Sequence, residues 1–457
     1  MATLVIFSLA ARRKLRQRTT RASATNPNAL QNNMDEIKAK LQRVFPDGGA
    51  AIVQDVYFSY RPRDDEFILL VELTNSDEEG LSVIKLGPAD RLQKELDGWH
   101  CCRPHGLRHD LVLTTLEPRY APVIGDDTET VGGGKSKELI ALLYADAEQF
   151  IGVDQTLSLE TALLESMRLG VPTPESVADV LFSLYERLGL LLYRNSYTDD
   201  PLRPEIPFAP ARLDRRLCEN LAAWGGASRS AFDTRADANC AAFDAGLIAH
   251  FLPPDRFAKA VIQSPQNCLP RLLRGYAHGD LHGRNVLVGR VADRVLWPAV
   301  FDYGDMGTDN LIGWDFVKME TEFKLRAYPT LFTGKQQQFV PQVIRFEVDL
   351  HKLTEDCRDA DRWPSTPVGT TPQERLQWLV LMIRQQAGRQ LGSACNRSRE
   401  WLAEYYFLLA IYGLNDVRFE NLTDIQKLAG YLSAGCAAAR YQWDRNRQDP
   451  GAIGVMA

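Results

Sequence analysis

A chain of 457 residues, 45% of them hydrophobic and 25% charged, has apolar side chains enough to fill a core without disulfide or metal staples. The formal net charge of −6 argues against a surface built for nucleic acid, and no apolar run approaches the roughly 18 to 20 residues that cross a bilayer as a helix. None of the eight cysteines is spaced C-x-x-C or gathered with histidine, which argues against a zinc site or a disulfide framework and for free buried thiols in a reducing, cytoplasmic setting.

Residues 1–34 read as a disordered tail. Their apolar stretch precedes a basic block, the reverse of a secretory signal, and no acidic residue occurs before Asp35. Residues 35–44 predict a short amphipathic helix. Residues 51–60 and 66–73 are rich in β-branched and aromatic side chains, and the charged segment between them predicts a hairpin. A third strand, 81–86, follows the turn at 75–80. Pro88 then opens a helix through ADRLQKELDGW, where the missing proline N–H would have had no partner. Two more strands are expected at 111–116 and 139–145, with a Gly-rich loop at 124–137 between them. This order describes a small antiparallel sheet with one helix.

From about residue 150 the pattern turns helical. Val180, Leu181, Leu184, Leu188, Leu191 and Leu192 recur at helical spacing within 176–193. Residues 198–215, rich in Pro, Asp and Arg, read as an irregular excursion. Long helices are expected at about 375–392, 399–414 and 423–443. The last begins Thr423-Asp-Ile-Gln426, a capping box in which each side chain satisfies a backbone N–H at the helix start.

Chemistry concentrates in Tyr276-Ala-His-Gly-Asp-Leu-His-Gly-Arg-Asn-Val-Leu-Val288 and in Ala299-Val-Phe-Asp-Tyr-Gly-Asp-Met-Gly307. Phosphoryl transfer needs a carboxylate to orient an attacking hydroxyl, and hard oxygen ligands for Mg²⁺. Asp280 and Asn285 lie five apart on a loop that runs into the apolar strand 286–288. That spacing can aim the Asp280 carboxylate at a substrate while the Asn285 amide oxygen reaches a metal. A second apolar strand, 298–301, delivers Asp302. Paired as a hairpin, the two strands would bring Asp302 beside Asn285 to share a Mg²⁺, with Asp305 as an alternative or second ligand.

His278-Gly-Asp280-x-x-x-x-Asn285, then a strand and Asp302-Tyr-Gly-Asp305, resembles the catalytic core of the aminoglycoside phosphotransferase and choline kinase branch of the protein-kinase-like superfamily. The segment WDFVKMETEFKLR (314–326) is also similar to kinase-like ternary complex associated domains of bacterial conflict systems. The resemblance implies an α+β, bilobal fold: a small antiparallel N-lobe with one helix over 35–146, and a large, mainly helical C-lobe over 147–457. It implies Asp280 as catalytic base, Asn285 and Asp302 as metal ligands, His278 as a packing brace and Asp315 as a support for the loop.

Such a site also needs a lysine on the third strand, to reach the α and β phosphates, and a helix glutamate to hold it. Lys85 and Glu95 stand where these are required. Tyr144 and Ala145 would offer backbone groups to adenine. No G-x-G-x-x-G lies between the first two strands, so the segment that covers the phosphates is unassigned. Gly132-Gly-Gly-Lys-Ser136 is not a P-loop, because the required earlier glycine is Glu129. His278 and His282 flank Asp280 without an obvious third metal ligand.

These residues imply an ATP- and Mg²⁺-dependent phosphotransferase acting on a hydroxyl of a small molecule or partner protein. The alternative is a kinase-like nucleotide-binding adaptor with a signalling partner. Neither a nucleic-acid partner nor a membrane is expected. The segment from about 198 to 260 and the helices after 340 should form the acceptor side. Asp349, Glu355, Asp356, Asp359 and Asp361 there read as a solvated acidic surface.

Overall fold

The computed structural model describes residues 50–55, 67–73, 80–102, 119–122, 139–145, 155–193, 249–263, 269–332, 336–367, 369–393, 400–417 and 421–448, with a few single positions besides. The predicted tail, the helix at 35–44, the strand at 111–116, the Gly-rich loop and the excursion at 198–215 lie outside the described residues. The chain is α+β, with small antiparallel sheets and long helices. It divides into two compact units, Met1–Asp97 with Leu116–Thr156, and Gly98–Thr115 with Leu157–Ala457.

Among the described residues the first unit has five strands: β1 (Ala50–Asp55), β2 (Phe67–Leu73), β3 (Gly80–Pro88), β4 (Arg119–Pro122) and β5 (Leu139–Ala145), in the order β1-β2-β3-β5-β4. Every pairing in it is antiparallel. Burial alternates along β3 as the pleat demands: Ser82, Ile84 and Leu86 are buried, while Val83 and Lys85 are half-buried. The helix α1 (Ala89–Cys102) follows β3 with no connecting residue. Pro88, expected to open the helix, is instead the last residue of β3, opposite Leu139, and α1 begins at Ala89. Leu92 and Leu96 of α1 are buried together with Ile84, Leu86, Ala141 and Leu142 of the sheet.

The second unit carries two small sheets among helices. β6 (Thr156–Ser158) leads into α2 (Leu159–Leu169), and Ser158 caps it by accepting the Thr161 N–H over 3.1 Å. Thr173 caps α3 (Pro174–Leu188) in the same way, with Pro174 in the first turn. The helix expected at 176–193 is thus α-helical to Leu188 and closes as a π-helical turn, Gly189–Tyr193. There follow α4 (Pro254–Gln263), β7 (Arg274–Ala277), a 3₁₀ turn (Gly283–Asn285), β8 (Val286–Val291), β9 (Arg294–Val300) and β10 (Gly307–Leu311). β10 pairs with β7, and the other sheet runs β6-β8-β9.

The helices α5 (Ile312–Leu331), α6 (Gln336–Asp359), α7 (Pro372–Ser393), α8 (Trp401–Asp416) and α9 (Asp424–Gln448) follow. α8 is apolar on nearly every side, as a central helix must be, and Tyr405, Tyr406, Phe407 and Leu408 are fully buried. Thr423 and Gln426 form the expected capping box at the start of α9: the Thr423 N–H reaches Gln426 Oε1 over 3.0 Å, and the Gln426 N–H reaches Thr423 Oγ1 over 3.4 Å. Tyr185 of α3 stacks on Phe316 of α5 with ring centroids 4.4 Å apart. Among the described residues no helix is long and apolar enough to cross a membrane.

Candidate functional site

In the first unit Lys85 and Glu95 meet. The Lys85 ammonium donates to Glu95 Oε2 over 2.7 Å, with side-chain exposures of 16% and 3%. The immediate passage from β3 into α1 makes this possible, since it sets Glu95 on the second turn of the helix. Cross-strand register places Leu142 opposite Lys85 and Tyr144 opposite Val83. Side chains two apart share a face, so Tyr144 joins Lys85, and its hydroxyl donates to Glu95 Oε1. Glu95 thereby holds two donors at once. β4 pairs with Ile140 to Leu143 of β5, and Tyr144 and Ala145 extend past it.

The second unit carries the loop 278–285. Its first turn is fixed by Asp315, in the opening turn of α5. The Asp315 carboxylate is fully buried and accepts the N–H of His278 (3.0 Å), the N–H of Gly279 (2.8 Å) and the hydroxyl of Tyr193 (3.0 Å). Burial pushes this carboxyl up, against the pull of His278 and these hydrogen bonds. Gly279 stands at φ 78°, and a Cβ there would lie 2.3 Å from the Asp305 carbonyl oxygen. Only glycine meets both demands.

His278 is fully buried. Its Nδ1 accepts the Asp280 N–H over 3.3 Å, so Nε2 carries the proton and donates to the Phe301 carbonyl over 3.1 Å. The ring thus ties the loop to the end of β9.

The Asp280 carboxylate is ringed by donors. Lys318 Nζ lies 2.8 Å from its Oδ1 and 2.7 Å from the Gly279 carbonyl oxygen. Asn285 Nδ2 donates to the Asp280 backbone oxygen over 3.0 Å and approaches Oδ2 at 3.3 Å. His282 Nε2 is 3.6 Å from Oδ2, beyond hydrogen-bond reach, and its buried Nδ1 has no hydrogen-bond partner among the described residues. Burial raises the Asp280 carboxyl, but Lys318, His282 and His278 outweigh it and hold it down at about 2. Burial likewise keeps the His282 imidazole below its usual value, against the pull of Asp280.

The hairpin of β8 and β9 sets the next residues. Val286 pairs with Val300, Leu287 with Ala299 and Val288 with Pro298. Asp302 follows in the left-handed region at φ 66°, a conformation that costs a non-glycine residue about 1 kcal/mol or more. Asp305 is exposed. Its carbonyl abuts Gly279 and accepts the Asn310 amide over 2.8 Å, while the same amide reaches the Ala277 carbonyl at 3.1 Å.

The outer side of the loop is pinned by charge. Arg284 lies 3.0 Å from Glu322 and 3.4 Å from Glu160, and Arg326 lies 2.6 Å from Glu160. Gly283 passes so close to α2 that a Cβ would meet the Glu160 backbone nitrogen at 2.6 Å.

Tyr193, Lys318, Arg284, Glu160 and Glu322 were not among the residues that sequence singled out for the site. The one available signal was the string of charged residues in 314–326, at odds with a solvated helix only once its partners are known. The acidic stretch of α6 is mostly exposed, except that half-buried Glu355 pairs with Arg440.

The chain matches no family model and no curated protein. Among solved structures it is similar to choline kinase from Cryptosporidium parvum Iowa II, at 11% identity and a TM-score of 0.35, over 93% of this chain and 100% of that one. A likeness of that score decides neither fold nor chemistry.

Proposed function

We propose that the protein is an ATP- and Mg²⁺-dependent phosphotransferase of the protein-kinase-like superfamily, which moves the γ-phosphoryl group to a hydroxyl of a small molecule or partner protein. The observation that carries this reading is the clasp of Asp280 and Asn285. The Asn285 amide nitrogen is spent on Asp280, which turns its Oδ1 away as a hard oxygen donor. Asp302 leaves the hairpin nearby in a strained conformation, and such strain collects at functional positions.

This oxygen set suits Mg²⁺. Among the described residues no three His, Cys, Asp or Glu side chains gather as a metal centre, but Mg²⁺ is held by one or two protein oxygens together with phosphate oxygens and water. Asn285 and Asp302 would hold it, with Asp305 as a further candidate. When bound, it neutralises charge on the β- and γ-phosphate oxygens.

The residues of the chain do the rest. The acceptor hydroxyl donates to the Asp280 carboxylate, which aims its oxygen at the γ-phosphorus. A bond forms from that oxygen to phosphorus, the bond from phosphorus to the bridging oxygen breaks, and ADP leaves. The hydroxyl proton passes to Asp280. A carboxyl held at about 2 is a weak base, so the proton moves late and orientation is the larger contribution, as a loose transition state allows. Lys85, held by Glu95, is the counter-charge for the α and β phosphates, and the backbone of Tyr144 and Ala145 is assigned to adenine. A cytoplasmic setting belongs to the same reading and accords with the buried free thiols Cys357 and Cys436.

The test compares wild type with Asp280→Asn, using γ-labelled Mg·ATP and a panel of hydroxyl acceptors including the protein itself. Asp280→Asn is expected to lose about 10²- to 10⁴-fold in turnover while still binding Mg·ATP. Equal turnover by the two proteins would overturn the role of Asp280. Binding of Mg·ATP without transfer by wild type would favour an adaptor.

A further inference from the structure

Asp315 and Lys318 are three apart on α5, which places them on one helix face. Together they contact three consecutive loop residues with opposite charges. Asp315 takes the N–H groups of His278 and Gly279. Lys318 takes the carbonyl of Gly279 and the carboxylate of Asp280, at 2.7 and 2.8 Å. The peptide units on both sides of Gly279 are therefore gripped by a single helix.

Lys318 is buried, and its ammonium lies 5.6 Å from the centroid of the Tyr412 ring. A lysine taken from water is stable only with its charge answered. Here the answer is a carbonyl, a carboxylate and an aromatic face. A scaffold alone could be anchored by Asp315, so a second, cationic anchor on the reactive carboxylate calls for another role.

We infer that Lys318 is a positioning residue for phosphoryl transfer: it occupies Asp280 Oδ1 and so leaves Oδ2 as the oxygen that receives the acceptor hydroxyl. This inference rests on the phosphotransferase reading above. Oδ2 faces Asn285 Nδ2 at 3.3 Å and His282 Nε2 at 3.6 Å, contacts longer than the one Oδ1 makes. An acceptor hydroxyl competes there with one weak donor instead of an ammonium. Without Lys318 the carboxylate plane is free to turn about its χ2 bond, and the oxygen that receives the acceptor hydroxyl loses its fixed direction.

The test measures steady-state release of labelled phosphate from γ-labelled Mg·ATP, together with self-phosphorylation, for wild type, Lys318→Met, Lys318→Gln and Lys318→Arg. Misplacement of a reacting group by about 1 Å costs about a hundredfold. A kcat reduced about a hundredfold in Lys318→Met, with KM for Mg·ATP near wild type, supports the inference. Lys318→Arg keeps the cation with a different fork and is expected to recover part of that kcat. Lys318→Gln keeps a donor without charge and gives the same reading should Lys318→Met fail to fold.

A wild-type kcat in either neutral variant overturns the inference and leaves the phosphotransferase reading standing. So does a parallel loss of kcat, Mg·ATP affinity and melting temperature in all three variants, which marks a scaffold alone. A wild-type protein that binds Mg·ATP and transfers nothing overturns the phosphotransferase reading itself, and this inference with it.

Discussion

Asn285 accepts the backbone N–H of Phe301 on its own carbonyl over 3.2 Å, one step beyond the last strand pair of Val286 with Val300. The residue after Phe301 is Asp302, so the hairpin carries two oxygen-bearing side chains to the same end of the sheet. If both hold Mg²⁺, Asp302→Ala weakens Mg²⁺-supported ATP binding by at least about tenfold and leaves metal-free binding as it was. Calorimetric titration with and without Mg²⁺ measures this. Equal affinities for the two proteins in Mg²⁺ would remove Asp302 from the ligand set.

Asp315→Ala is expected to reduce stability as well as turnover. Three donors, from His278, Gly279 and Tyr193, converge on this one buried carboxylate. Each buried donor left without a partner costs about 1–3 kcal/mol. The urea midpoint should fall by several kcal/mol of equivalent stability, about 3 or more. A midpoint within error of wild type would mean that the loop finds its bonds elsewhere.

Acid stability should turn on Glu320. Its carboxylate is fully buried, with Arg384 at 2.7 and 2.9 Å and Lys324 at 2.8 Å. Burial pushes the carboxyl up, but Arg384 and Lys324 prevail and hold it well below the carboxylate range. The unfolded chain therefore takes up this proton first as pH falls. Stability from Glu320 is whole above the ordinary glutamate value of 4.5 and is lost progressively below it. Melting temperature followed downward from pH 7 is expected to drop steeply below that value, and Glu320→Gln to flatten the drop while costing about 3–5 kcal/mol at neutral pH. An unchanged profile in the variant would assign acid lability to other groups.

The strand that carries Lys85 with the helix after it, the hairpin before Asp302 and the cap at Thr423 could be read because each depends on neighbours close in the chain. Alternation along β3 and the lone proline at its end give the first. β-branched and apolar residues on both arms give the second. α5 could not be read in this way. Lys318, Glu320, Glu322, Lys324 and Arg326 have the polarity of a solvated helix, yet all but Arg326 are buried. Their partners are Asp280, Arg384, Arg284, Glu347 and Glu160, which no periodicity connects to them. Tyr193 was hidden for a similar reason. It falls in the π-helical turn, where the register of an α-helix no longer says which way a side chain faces.

α5 also sets a rate. At its first turn it holds the His278 and Gly279 amides, and two turns later Lys324 is locked to Glu347 and Ser433 at 2.8 Å in the middle of the helical unit. Both loop amides are tied to a buried side chain of that helix, so their exposure is expected to follow the opening of α5. Most surface loops trade their amide protons for deuterium long before the core does. The protons of His278 and Gly279 are therefore expected to exchange with the core rather than with surface loops, which amide exchange followed residue by residue checks.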